Sequence, residues 1–398
     1  MTMIVQSSQL EALCQKIETA GRFSMDLEFI PERTYDPELC LVQIATDEEA
    51  FIIDPLKIKD LNPLWEFVAD PDTLVVLHAA EHDLDLVYRL SGLVPQNVID
   101  TQIAAGFAGF GFPIGYGKLL SQLLNVQISK TESFTDWLIR PLSDSQIEYA
   151  LDDVRHILPM YDKLVAELDK IDRFAWAEEE CKKYTKQKRY ERDRSKEFYR
   201  VKGASALSRR GLAVLRALVE WRDKEAQRVN RPTRTITQDN ILLELARRPP
   251  KAANEIDRIR GARPDQIRAH GAAIISAIQA GLATPEQECP FWPAFKNPPK
   301  RDTLHVDVLF TFVKVIAHEM ELAPELVTTR EELQNVVRDY REKNLDREDH
   351  DILQGWRYEM AGKMLLDVLG GASMNVTLAS SGLPVRIEIG TKAGAEQD

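Results

Sequence analysis

The stretch FSMDLEF, residues 23 to 29, alternates Phe23, Met25, Leu27 and Phe29 with Ser24, Asp26 and Glu28. A period of two is the signature of a strand, whose successive side chains point to opposite faces. Met25 and Leu27 therefore face one layer, and Asp26 and Glu28 share the other. Two carboxylates so placed repel unless protons or cations intervene, and a hard oxygen pair of this kind suits Mg²⁺ or Mn²⁺. A D-x-E pair is also common on solvated strand faces, so its meaning depends on what the rest of the chain brings to it.

Upstream, Leu10, Leu13, Cys14 and Ile17 recur at helical spacing and stop at Gly21, predicting a helix over 7–20. Downstream, 39–46 and 50–53 read as strands on either side of the turn-like Asp47, Glu48 and Glu49, which makes a three-stranded meander with the first strand. A short helix around Trp65, a buried strand over 73–78 and a helix over 83–90 follow, and the order from there is helical. Ser143 and Gln146 form a capping box ahead of Ile147, Ala150, Leu151, Val154, Ile157, Leu158 and Tyr161, which trace one helix face. A small sheet with helices packed on it is an α/β domain, expected over residues 1–180.

Residues 181–204 are dense in charge, with Lys182, Lys183, Lys186, Lys188, Arg189, Arg192, Arg194, Lys196, Arg200 and Lys202, and read as an exposed linker. That segment is equally a solvated helix face or a phosphate-contacting one. Beyond it, helical patterns alternate with breaks at Pro232, Pro249, Pro250, Pro264 and Pro290. Two all-helical domains fit, over 205–288 and 289–370, with Trp221-Arg222 and Trp356-Arg357 hinting at repetition. The tail, 371–398, is either loose or a short hairpin through Val376 to Ile389.

A chain of 398 residues exceeds one ordinary core. No apolar run is long enough to cross a bilayer and the N-terminal residues lack the pattern of a signal peptide, so the expectation is a cytoplasmic protein without a membrane partner. Cys14, Cys40, Cys181 and Cys289 form no C-x-x-C pair and read as reduced thiols. The net charge of −12 excludes bulk attraction to nucleic acid and requires local basic clusters, or metal ions, at any phosphate site. The Gly-rich run from Gly106 to Gly117 has neither the G-x-G-x-x-G spacing nor a Walker lysine, so no nucleotide cofactor is expected.

Two further places carry chemistry. Asp83 follows a buried strand near a helix start, where backbone N–H groups favour an anion, although spacing alone does not separate it from His82 and Asp85. Tyr149 and Asp153 stand four apart on the capped helix, on one face at the border of its apolar stripe. His78, inside a buried strand, reads as a core residue.

Taken together, MDLEF at 25–29, LHAAEHDL at 77–84 and EYALDDV at 148–154 resemble the three exonuclease motifs of the DEDD superfamily, tyrosine subclass. SKTESFTDWLIRPL, from Ser129 to Leu142, is similar to the stretch before the third motif in ribonuclease D. LAVLRALVEWRDKEA from Leu212, with Asp239 and IRG at 259–261, resembles the HRDC module, and 295–370 with GWRYEM at 355–360 a second, divergent copy. The resemblance implies a ribonuclease H-like exonuclease domain followed by two HRDC-type all-α domains. It implies 3'-5' hydrolysis of RNA, with the 3' ends of tRNA precursors as the usual substrate. It also implies two divalent cations held by Asp26, Glu28, Asp83 and Asp153, with Asp26 bridging, Glu28 and Asp153 completing the site of the nucleophile-activating ion, Asp83 supporting the other, and Tyr149 orienting the water. By their place in the similar stretch, Trp137 would stack on a base and Lys130 and Arg140 would contact phosphates. A DNA-directed exonuclease and a catalytically silent RNA-binding adaptor are the alternative readings.

Overall fold

The structure, a computed structural model, describes residues 3–128, 135–191, 193–259, 261, 264–292, 300–378 and 385–392. The chain groups into two compact units, one of Met1–Asp26, Val42–Lys186 and Lys296–Asp398, the other of Leu27–Leu41 and Gln187–Phe295. It opens with β1 (Met3–Ile4), α1 (Ser7–Ala20), β2 (Arg22–Ile30), β3 (Glu38–Ala45), β4 (Ala50–Ile53), α2 (Asn62–Val68), β5 (Leu74–Leu77), α3 (Glu81–Ser91) and β6 (Val98–Asp100). Helices α4 (Thr101–Phe107), α5 (Tyr116–Leu124), α6 (Asp144–Arg155), α7 (Ile157–Asp169) and α8 (Phe174–Cys181) follow.

The six strands form one sheet in the order β1-β4-β3-β2-β5-β6. The meander expected from the sequence is its centre, with β3 and β4 antiparallel in the register Val42 to Ile53. β5 lies parallel to β2, Phe23 beside Val75, and β6 parallel to β5, Leu77 beside Asp100. Parallel neighbours bring the C-terminal ends of β2, β5 and β6 to one end of the sheet. β1 and β6 went unread in the sequence because two or three residues carry no periodicity. α1 ends as expected, at Gly21 with φ +65°, where a side chain would be strained.

β2 sits mid-sheet, with Phe23 and Met25 fully buried on one face. On the other face Ser24 is also buried, and its hydroxyl donates to the carbonyl of Val154 at 3.0 Å, which pins α6 against the strand. Ala45, Val76, Val154, Ile157 and Leu158 close this layer. The helix read as continuous from Ser143 to Tyr161 is two, broken at His156. Pro159 is the reason, because proline has no N–H for the Arg155 carbonyl and fits only in a first helical turn, which α7 supplies.

Past α8 the charged segment forms short turns and α9 (Gln187–Tyr190). In this segment Lys182, Lys186, Lys188, Arg194, Lys196, Arg200 and Lys202 are exposed, Lys183 and Arg189 are half-buried, and Cys181, Tyr184, Phe198 and Val201 are buried. Arg192 lies outside the described residues. Helices α10 (Arg209–Arg228), α11 (Thr233–Ile236), α12 (Asp239–Arg247) and α13 (Pro264–Ala283) then pack around Leu212, Leu215, Leu218, Leu242, Leu245, Ile274 and Ile278. Gly281 allows α13 its close approach to α10, since a Cβ there would meet the Val214 Cα at 2.4 Å.

The last helices, α14 (Lys300–Glu319), α15 (Pro324–Val327), α16 (Arg330–Glu342), α17 (Gly355–Arg357) and α18 (Lys363–Leu369), precede a hairpin of β7 (Ala372–Leu378) and β8 (Val385–Lys392). The hairpin pairs Val376 with Ile387, which decides the alternative left open for the tail. This helical region packs on the exonuclease part. The Trp356 ring lies 4.9 Å from Phe107 and stacks 5.3 Å from Trp176, and Arg357 pairs with Glu180 at 2.6 Å.

Candidate active site

The site is assembled from one strand and one helix. β2 presents Asp26 and Glu28 on the face that Ser24 ties to α6, and α6 brings Asp153 to the same place. The start of α6 is fixed by its capping box. Ser143 Oγ accepts from the Gln146 amide at 3.2 Å, and Gln146 Oε1 accepts from the Ser143 amide at 2.9 Å. As a result, ligand oxygens of Asp26, Glu28 and Asp153 lie within 4.8 Å of one another. These residues fall on strand and helix backbones whose positions hydrogen bonds fix, so the repulsion among them is imposed by the fold. Burial pushes the Asp153 carboxyl up to about 7, neighbouring Asp152 adds to the rise, and a hydrogen bond from Tyr149 opposes it.

Asp83, the fourth acid, is the third residue of α3 and is 7% exposed. It is outside the group gathered within 4.8 Å. Burial, reinforced by the Asp100 carboxylate, pushes it up to about 8. An acid this far above its ordinary range keeps most of its proton at neutral pH unless a nearby cation compensates the charge. An all-carboxylate donor set is what hard divalent ions take, and softer metals would ask for Cys or His. The residues present therefore fit divalent cations of the magnesium class.

Of the substrate contacts expected from the sequence, two are corrected. Trp137 is 4% exposed, with its ring 6.0 Å from that of Tyr149, so it supports the tyrosine from within the protein and offers no face to a base. Arg140 forks onto the buried Asp54 at 2.8 and 3.0 Å and donates to the Trp137 and Ile139 carbonyls, so its donors are committed to the fold and not to phosphates. Lys130 lies outside the described residues. His78 is half-buried just past the end of β5, and it is satisfied as expected, its ring nitrogens 3.0 Å from Thr101 Oγ1 and from the Ile114 carbonyl.

Sequence reasoning missed Tyr116. Its hydroxyl donates to the Asp152 carbonyl at 2.8 Å, and burial together with Asp153 and Asp26 pushes its pKa up, so it stays protonated beside the acids. The only sequence signal was an aromatic residue at the end of the Gly-rich run, which was read for phosphate motifs alone.

Residues 1–169 match a family model described as 3'-5' exonuclease, and residues 211–278 match the HRDC domain. Ribonuclease D of Bartonella henselae is 31% identical over 93% of this chain and 90% of its own. The chain belongs to the ribonuclease D family. The ribonuclease D of a Jannaschia species is 34% identical, covering 96% of this chain and 98% of its own. The solved structure of Escherichia coli RNase D, an exoribonuclease involved in structured RNA processing, aligns with a TM-score of 0.83 at 28% identity, over 93% of this chain and 98% of that one. Ribonuclease D membership makes the chain a 3'-5' exoribonuclease, with a mixed α/β exonuclease part of the ribonuclease H-like DEDD class followed by a helical HRDC region. Divalent metal use comes with the family, and the acid cluster is the matching feature here.

Proposed function

We propose that this chain trims RNA 3' ends, tRNA precursors among them, in the cytoplasm, by two-metal hydrolysis with Mg²⁺ or Mn²⁺ at Asp26, Glu28, Asp83 and Asp153. The observation that carries this reading is the convergence of Asp26, Glu28 and Asp153 oxygens within 4.8 Å. Bound divalent ions supply a nucleophilic water at neutral pH and stabilise the departing 3'-oxygen. The chain's own part is orientation and charge. Asp26, at the centre of the strand, would serve both ions, Glu28 and Asp153 would hold one of them with it, and Asp83 would support the second from its separate, more buried position. Tyr149 hydrogen-bonds to Asp153 and its hydroxyl would orient the attacking water, a positioning role suited to a phenol whose ordinary pKa is about 10. Tyr116 keeps its proton and braces the helix that bears Asp153. The helical modules extend the contact with RNA, and we propose domain limits of 1–180, 205–288 and 289–370 for the exonuclease and the two HRDC-type modules, with 181–204 joining them and 371–398 as the C-terminal segment.

The test is release of 5'-nucleotides from the 3' end of a labelled RNA on addition of Mg²⁺ or Mn²⁺. Asp26→Asn removes metal charge without disturbing the strand, so cleavage should fall by roughly 10³-fold or more while RNA binding persists. Hydrolysis retained in that variant refutes the assignment. Equal rates on DNA of the same sequence would reassign the substrate.

A further inference from the structure

Between the end of β5 at Leu77 and the start of α3 at Glu81 only three residues turn the chain, and one of them, Ala79, has φ +60°. Alanine disfavours that region, and such a conformation persists only where its surroundings over-determine it. The amides of Ala79 and Ala80 are held by one side chain. Asp100, at the end of β6 and 2% exposed, accepts from the Ala79 amide at 2.9 Å through Oδ1 and from the Ala80 amide at 3.0 Å through Oδ2. The same oxygens accept from the Gln102 amide at 2.9 Å and from the Tyr184 hydroxyl at 2.9 Å. Its own amide donates to Cys181 Sγ at 3.3 Å. Ala80 is the residue that caps α3, and Asp83 stands on the first turn after it.

We infer that Asp100 is a positioning residue for the metal-binding acid Asp83: its buried carboxylate clamps the strained Ala79-Ala80 turn, and Tyr184 fixes the clamp from behind. This rests on the reading of Asp83 as a metal ligand. Burying a second carboxylate beside Asp83 is costly without compensation, and four donors on its two oxygens hold it in place. A neutral side chain could not reproduce the arrangement. An amide in place of the carboxylate presents N–H to donors on one side, so either the Ala79 and Gln102 bonds or the Ala80 bond is lost.

The experiment measures Mn²⁺ binding to the RNA-free protein by electron paramagnetic resonance of the free ion, alongside hydrogen exchange of the peptide covering residues 77–84. In Asp100→Asn, Mn²⁺ affinity should weaken about 10–100-fold, with faster exchange over 77–84 and KM for RNA at saturating metal unchanged. Tyr184→Phe removes one of the four bonds and should shift both readouts the same way by a smaller factor; it decides the matter if Asp100→Asn does not fold. Wild-type affinity and wild-type exchange in whichever of the two variants is folded overturn the inference. Asp83→Asn separates the two levels of the argument. If wild type binds Mn²⁺ and Asp83→Asn weakens it while the Asp100 and Tyr184 variants do not, only the positioning role fails; if Asp83→Asn binds as wild type does, the assignment of Asp83 fails and the positioning role with it.

Discussion

Asp153 and Asp83 carry protons that an ordinary carboxylate would have lost, at about 7 and about 8, because burial penalises their charged forms. In the metal-free protein the folded state therefore binds more protons than the unfolded chain between the usual carboxylate range and pH ~8, so stability falls as pH rises across that window. Thermal unfolding of the metal-free protein should show this decline, and Mn²⁺ should raise the melting temperature more at pH 8 than at pH 5.5. A melting temperature independent of pH, with and without metal, would contradict the burial account. Arg140 gives a second prediction at this scale. Asp54 is 2% exposed and the guanidinium is its fork-shaped partner, so Arg140→Ala leaves a buried carboxylate unpaired and should cost about 3–5 kcal/mol in urea unfolding. A variant of unchanged stability with a raised KM for RNA would restore the phosphate-contact role.

α6 places Tyr149 and Asp153, and its capping box sets where the helix begins. Ser143→Ala should therefore cost about 1 kcal/mol of stability, read from the midpoint of denaturant unfolding, as the Gln146 amide loses its acceptor. This element was legible because its signals are local: the Ser143 and Gln146 pair, and apolar residues at helical spacing. The alternation of Phe23, Met25 and Leu27 with Asp26 and Glu28 was legible for the same reason. The break at His156 was not, because the apolar stripe runs through it unchanged and only Pro159 marks the interruption. Tyr116 and Asp100 were hidden for another reason. Their parts depend on which residues distant segments bring beside them, and no spacing within a single segment carries that information. Trp137 and Arg140 were misplaced because motif similarity locates a segment without saying which side chains face inward.

For the whole molecule, composition suggested successive domains along the chain, and the helical halves were visible as such. The compact units do not follow that order, since Lys296–Asp398 groups with the exonuclease part. Trp356 shows why. It is 3% exposed and stacks on Trp176 and Phe107, residues far away in sequence, with Gly355 at φ +46° leaving room for Glu179, where a Cβ would collide. Amphipathic periodicity says that a helix has a buried face but not what buries it. Trp356→Ala should lower the stability of this unit by about 3–5 kcal/mol, seen as an earlier transition in denaturant. The account as a whole depends on cations among the carboxylates. Diffraction at the manganese edge from Mn²⁺-soaked crystals tests it most directly. It should show two anomalous peaks, one between Asp26, Glu28 and Asp153 and one shared by Asp26 and Asp83. Saturating Mn²⁺ with no peak at these acids would contradict the account.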